Sequence, residues 1–229
     1  MSEIIISDFD GTITQTDVNN TIHFHYGDEK TAEIEEQFSR GEIGVYQSLS
    51  FHYNRLKISE KEFKEFVLEN IEIDPYFKNF YKMINNKDLD FAVISGGFIN
   101  YIEMIFDKYN IDMKHPIYAN KLLFKENNNI EVKFAHEVSQ KECIRDSGYC
   151  GNCKYRIINK YKNQKKKDKI IYIGDGLTDR CGARQADIIL VKSASSLLDY
   201  CKDNNIEYYV FNNFKEIKEI IKELIFNKK

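Results

Sequence analysis

The sequence predicts an α/β fold, a doubly wound parallel sheet interrupted by an inserted helical domain, and three observations carry that expectation. Short apolar runs at residues 3–9, 89–95 and 169–173 each end on a polar, glycine-bearing turn, the pattern of strands buried on both faces of a parallel sheet. Helical periodicities separate the strand-like segments, as in layered α/β domains. Between the first two runs lie roughly eighty residues, far more than the helix of a simple crossover, and they read as helical.

The first strand, EIIISDF (residues 3–9), stops at Asp10-Gly11. The insertion is expected over residues 15–86. Its clearest helix begins at Ser59, which forms a capping box with Glu62, while Phe63, Phe66, Val67 and Ile71 mark one apolar face. Phe51, Tyr53, Phe63 and Phe66 are assigned to the core of this domain. The second strand, LDFAVIS (residues 89–95), stops at Gly96-Gly97, and KIIYI (residues 169–173) at Gly174-Asp175-Gly176. Residues 121–134 place two alternating runs around an asparagine turn at 127–129, a hairpin signal. Residues 188–191 and 207–211 read as two further strands. Phe214, Ile217, Ile220, Ile221, Leu224 and Ile225 recur at helical spacing, so a final helix docks on the sheet. The α/β core is thus expected over 1–14 and 87–229.

A chain of 229 residues, 42% hydrophobic, 14% aromatic and with only 2 Pro, can bury a sizeable core and is not intrinsically disordered. Its net charge of −3 comes from 33 basic and 36 acidic residues spread along the chain, so nucleic acid is not an expected partner. The lysine-rich residues 162–169 read as a solvated loop. No run approaches the about 20 apolar residues that cross a bilayer, and no signal peptide is read, so no membrane partner is expected. Five cysteines, an odd number, suit a reducing cytoplasm better than a disulfide framework.

The chemistry concentrates at the strand ends. Asp8 and Asp10 are two residues apart on an extended segment, so both side chains face the space beyond the first strand. Asp175 and Asp179 follow another core strand, which brings four carboxylates to one edge of a parallel sheet. Their mutual repulsion falls if Mg²⁺ sits among them, an ion that prefers carboxylate oxygen, water and phosphate. A phosphate ester arriving there needs a nucleophile, a proton donor for the leaving alcohol and donors for the phosphoryl oxygens. Asp8 is expected to attack phosphorus, giving an aspartyl phosphate. Asp10 would protonate the leaving oxygen and then activate water. Mg²⁺ would be held by Asp8 and Asp175, with Asp179 completing or orienting the site. The hydroxyls of Thr12 and Ser95, the backbone near Gly11 and Gly96, and the charge of Lys154 would bind the transferring phosphoryl group.

With DFDGT at residues 8–12, a strand-ending Ser95, Lys154 and GDGLTD at 174–179, the chain resembles the haloacid dehalogenase-like (HAD) phosphatase superfamily over nearly its whole length. The insertion directly after the first motif is similar to the helical cap of the phosphoserine phosphatase-like branch. More narrowly, CGNCK (150–154), IYIGDGLTD (171–179) and ADIILVKS (186–193) resemble the methionine-salvage phosphatases acting on 2-hydroxy-3-keto-5-methylthiopentenyl-1-phosphate. Phosphatases of phosphocholine and phosphoethanolamine have a similar cysteine-rich approach to their lysine. The resemblance implies a Rossmann-like core with a helical cap. It also implies a Mg²⁺-dependent hydrolase acting on a small phosphate ester, with the Asp10 backbone carbonyl joining the metal site. Phosphoserine and phosphocholine or phosphoethanolamine are alternative substrates, and the oligomeric state is left open, a homodimer included. Asp17 lies nine residues after Asp8, where phosphoserine phosphatases carry a glutamate contacting the substrate amine. It is the candidate for substrate choice, and it reads equally well as a helix N-terminal acid.

The Cys-x-x-Cys step of Cys150 and Cys153, with Cys143 and His136 upstream, can present two thiolates to zinc, but the spacing from His136 to Cys143 matches no common zinc template and the thiols are read as small buried side chains, a metal role being left open. A zinc- or redox-responsive binding protein that kept the fold is the alternative of another class. Cys181 and Cys201 read as helix-face core residues. His23, His25, His52 and His115 share no ligand spacing and are expected to play no part in the chemistry.

Overall fold

The computed structural model describes residues 2–136 and 150–226. Cys143 lies outside them. The insertion-facing half of the chain runs β1 (Glu3–Ser7), α1 (Val18–Tyr26), α2 (Glu29–Ser39), α3 (Val45–Arg55), α4 (Glu60–Asn70), α5 (Phe77–Asn86), β2 (Asp90–Phe98) and α6 (Ile99–Lys108). There follow β3 (Ile117–Phe124), β4 (Ile130–Lys133), α7 (Lys154–Asn163), β5 (Lys169–Gly174), α8 (Arg180–Ala183), β6 (Ile188–Lys192), α9 (Ser196–Asp203), β7 (Tyr209–Phe211) and α10 (Phe214–Ile225).

These strands form one sheet in the order β4-β3-β2-β1-β5-β6-β7, parallel except for the β3-β4 hairpin. The hairpin turn uses Asn127 and Asn128 in the left-handed region, both at φ 56°, a conformation that asparagine tolerates better than most residues. Because side chains alternate along a strand, Ile5 of β1 joins the core on one face and Ile4 and Ile6 join the core on the other. The first core includes α5, α6 and α10; the second includes Ile157, Ile158 and Tyr161 of α7, Ala183 of α8, and Leu197, Leu198 and Cys201 of α9. Helices on both faces explain why the central strands are apolar throughout. Cys181 and Cys201 are buried, as their positions predict.

Register places the site. Ser7 at the end of β1 pairs with Val93 of β2 on one side and Ile173 of β5 on the other, so the residues just beyond those three strands share one edge. Strand β2 continues through Gly96 and Gly97 to Phe98, where the sequence predicts a turn. The glycines serve a close approach here: a Cβ at Gly97 would collide with the Tyr101 hydroxyl and lie 2.7 Å from Asp10 Oδ2.

In the insertion, Ser59 caps α4 reciprocally with Glu62, and Phe63, Phe66 and Val67 are buried. Tyr53 is also buried, whereas Phe51 is partly exposed. The two connections to the sheet run side by side, bridged at Thr14 and Ile73, with the Asp74 amide donating to the Ile13 carbonyl at 2.8 Å. Helix α5, which the sequence assigns to the insertion, packs on the sheet. Its Phe77 meets Phe214 of α10 edge-on at 4.9 Å and its Phe80 meets Phe91 of β2 at 6.1 Å. Among the described residues no helix is long and apolar enough to cross a membrane.

Candidate active site

Beyond Ser7 the chain leaves β1 and turns sharply. The Asp8 amide still donates to the Ile173 carbonyl of β5 at 2.9 Å, and Thr12, Ile13 and Thr14 all donate back to the Phe9 carbonyl. Gly11 sits at φ +74°, and a Cβ there would come within 2.6 Å of Asp175 Oδ2; the turn therefore needs glycine on both counts. Lys192, at the end of β6, donates its ammonium to the Gly11 carbonyl and holds the turn from the other side.

This turn brings the carboxylates of Asp8 and Asp10 to a cavity of about 300 Å³, lined also by Asp17, Glu35, Gly96 and Asp175. Asp8 is buried and pairs through Oδ1 with the Lys154 ammonium at 2.8 Å. Lys154, the first residue of α7, also meets Asp179 Oδ1 at 2.5 Å. Burial alone would favour a neutral amine, but Asp179 and Asp8 together outweigh it and raise the Lys154 pKa. Asp179 is fully engaged by donors. Its Oδ1 accepts from Lys154 and from the Tyr172 hydroxyl at 2.5 Å, and its Oδ2 accepts from the amides of Asp175 and Gly176 at 2.9 and 2.8 Å.

Asp10 is held from the sheet and from α6. Ser95 donates to its Oδ2 and Tyr101 to its Oδ1, both at 2.7 Å. The Gly97 amide donates to Ser95 Oγ at 2.8 Å, which aims the serine proton at Asp10. Thr12 donates to Asp175 Oδ1 at 2.5 Å. Both hydroxyls expected to meet phosphoryl oxygens are thus engaged with carboxylates. Gly96 is open on its Cβ side and lines the cavity. Asp17 caps α1, accepting from the Asn20 amide at 2.8 Å, and lines the same cavity. The cap position and the cavity position coincide in one residue.

Electrostatically the site is overloaded with negative charge. Burial, and then Asp179, push Asp8 well above the usual carboxylate range against the pull of Lys154. Burial raises Asp10 too, opposed by its hydrogen bonds from Ser95 and Tyr101. Burial and Asp179 bring Asp175 up to about 7, and burial with Asp10 brings Asp17 to about 7. Ligand oxygens of Asp8, Asp175 and Asp179 lie within 4.8 Å of one another. Three oxygen acids facing one ammonium form a donor set suited to a hard divalent cation such as Mg²⁺.

The sequence reading missed several residues that hold this geometry. Asn152 is buried and donates to the carbonyls of Ser95 and Tyr118 at 2.8 and 2.9 Å, tying the approach to Lys154 to the β2 end. Asn120 donates to the Gly96 carbonyl at 2.7 Å. Tyr101 is buried in α6, and its hydroxyl reaches Asp10 and accepts from Asn19 of α1 at 3.1 Å. Hydrogen bonds to charged groups contribute about 1.5–3 kcal/mol. Tyr101→Phe, which keeps the buried ring, is therefore expected to lower kcat about 10-fold with little change in KM. Steady-state kinetics with a thermal melt as folding control checks this.

The family described as "Putative Phosphatase" matches residues 3–225. The chain belongs to that family. It is a phosphomonoester hydrolase with a HAD-like fold. Family members similar to it include the 2-hydroxy-3-keto-5-methylthiopentenyl-1-phosphate phosphatase of Bacillus cytotoxicus, 31% identical over 226 residues that cover 98% of each chain. The Pdp3-interacting factor 1 of Schizosaccharomyces pombe is 27% identical, covering 97% of this chain and 96% of its own. A substrate-bound phosphoserine phosphatase structure superposes with a TM-score of 0.71 at 20% identity, covering 96% and 98% of the two chains, a likeness of fold. The family match spans the insertion as well as the sheet.

Proposed function

We propose that the protein is a Mg²⁺-dependent phosphatase of small phosphomonoesters that works through an aspartyl phosphate on Asp8, with 2-hydroxy-3-keto-5-methylthiopentenyl-1-phosphate as the favoured substrate. The observation that carries the chemistry is the convergence of Asp8, Asp10 and Asp175 on one cavity edge, with Lys154 beside Asp8. The substrate rests on the full-length relatedness to phosphatases of that name.

An Asp8 carboxylate oxygen attacks phosphorus as the bond to the leaving oxygen breaks, and Asp10 delivers its proton to that oxygen. Burial raises the Asp10 pKa, which favours its carrying the proton that the leaving oxygen needs. Water then enters, Asp10 takes its proton, and attack on phosphorus breaks the bond to Asp8 and frees phosphate. Lys154 pulls Asp8 toward its ionised form and aims it, while Ser95 and Thr12 turn their hydroxyl donors to the phosphoryl oxygens. Asp8, Asp175 and the Asp10 carbonyl would hold Mg²⁺, which would supply charge neutralisation for the phosphate. Asp179, its oxygens engaged by four donors, takes the orienting part in that set. The odd number of cysteines fits a cytoplasmic enzyme.

A second reading is favoured by Asp17 and Glu35, which leave surplus acid at the cavity where the leaving group would lie. Such a rim suits a cationic alcohol, as in phosphoserine, phosphoethanolamine or phosphocholine. Phosphate release from these esters and from the methylthiopentenyl enol-phosphate separates the two. The proposal expects the highest kcat/KM on the enol-phosphate; no release from it, with turnover of an amino ester, would transfer the assignment to the second reading.

A further inference from the structure

Three helices of the insertion bring His23 (α1), Glu35 (α2) and His52 (α3) together behind the active-site cavity. His52 Nε2 lies 2.8 Å and His23 Nδ1 3.5 Å from the same oxygen, Glu35 Oε1, and the ligand atoms of all three lie within 4.8 Å of one another. The two imidazoles stack face to face, with centroids 3.8 Å apart and planes at 24°. The side chains of His23 and His52 are only 1% and 3% exposed.

A hydrogen-bonded His-Glu-His cluster would account for His52, whose nitrogen bonds Glu35, and for Ser48, which donates to Glu35 Oε1 at 3.1 Å. It does not account for His23. Neither of its ring nitrogens has a hydrogen-bond partner, although the side chain is enclosed by protein; buried polar nitrogens are rarely left so. The nitrogen nearest Glu35 lies 3.5 Å from its carboxylate and within 4.8 Å of the other ligand atoms of the cluster.

We propose that this cluster is a binding site for a borderline divalent metal ion, zinc by chemistry, held by His23 Nδ1, Glu35 and His52 Nε2. Two imidazoles and one carboxylate are a common zinc ligand set, with a fourth position left for water. Donors about 2 Å from a tetrahedral ion lie roughly 3.3 Å apart, between the two separations measured to Glu35. Mg²⁺ would not compete well here, because it prefers oxygen ligands, just as the Asp8 cluster favours it over zinc. Ser48 would steady the carboxylate ligand from outside, in the way that outer hydrogen bonds tune metal sites. Joining α1, α2 and α3, the ion would fasten the insertion and set Glu35, which also lines the catalytic cavity.

The test uses the full chain, stripped of metal and then equilibrated with zinc in the presence of excess Mg²⁺, with bound zinc measured after gel filtration and melting followed with and without zinc. The expected result is one zinc per chain and a melting temperature raised by zinc. Glu35→Gln and His52→Ala should each weaken zinc binding at least about 100-fold and abolish the thermal shift, while melting cooperatively without metal. Cys150→Ser should retain the ion. Failure of the intact chain to bind zinc would overturn the proposal. So would zinc retained in both Glu35→Gln and His52→Ala, or zinc lost only with Cys150→Ser or Asp175→Asn, which would put the metal elsewhere.

Discussion

Asp8→Asn is expected to lower kcat by about 10⁴-fold or more, the scale on which loss of a covalent nucleophile acts. Asparagine keeps the side chain's shape and its place beside Lys154, so substrate binding and fold should survive while the attacking oxygen is lost. The same substitution removes one of three carboxylates crowded around a single ammonium. Because burial and Asp179 already disfavour the charged form of Asp8, the metal-free melting temperature should not fall. Steady-state phosphate release and a thermal melt of the same preparation check both halves. A variant that is inactive because unfolded would show in the melt; a folded variant with near-normal turnover would remove Asp8 from the chemistry.

Removing divalent metal is expected to have an effect of similar rank. Charge stabilisation by a bound metal contributes several kcal/mol to a phosphoryl-transfer barrier, which corresponds to at least about 10³-fold in rate. Without a cation, Asp8, Asp175 and Asp179 repel both one another and the incoming phosphate dianion. Dialysis against EDTA should therefore silence hydrolysis of a generic aryl phosphate, and Mg²⁺ alone should restore it. Recovery with Mg²⁺ and no zinc separates this site from the histidine cluster of the insertion. Undiminished activity in EDTA would argue against a metal among the strand-end acids.

The strand-end acids were legible because each signal is local. An apolar run, an acidic turn and a glycine can be read at Asp8, Ser95 and Asp175 separately, and a parallel sheet supplies the convergence. The β3-β4 hairpin and the Ser59 cap were legible for the same reason, since turn and capping chemistry act within a few residues. Strand β2 ran past its predicted stop because Gly96 and Gly97 look like a turn in sequence. At Gly97 the glycine instead makes room for Tyr101 and Asp10, contacts that only the tertiary fold creates. Tyr101 was hidden by its own helix: its ring sits at a core position, and only its hydroxyl, reaching 91 positions back to Asp10, has a second role. His23, Glu35 and His52 come from three helices, so no spacing rule could connect them. Asp17 could be read either as a helix cap or as a cavity residue, and its position serves both.

The most direct test of the central claim is mass spectrometry of peptides from enzyme quenched in acid during turnover of an aryl phosphate with Mg²⁺. The account predicts one added phosphoryl group on the peptide containing Asp8, present in Asp10→Asn and absent in Asp8→Asn. A phosphoryl group on another residue, or full turnover with no phosphorylated peptide at any time point, would contradict it.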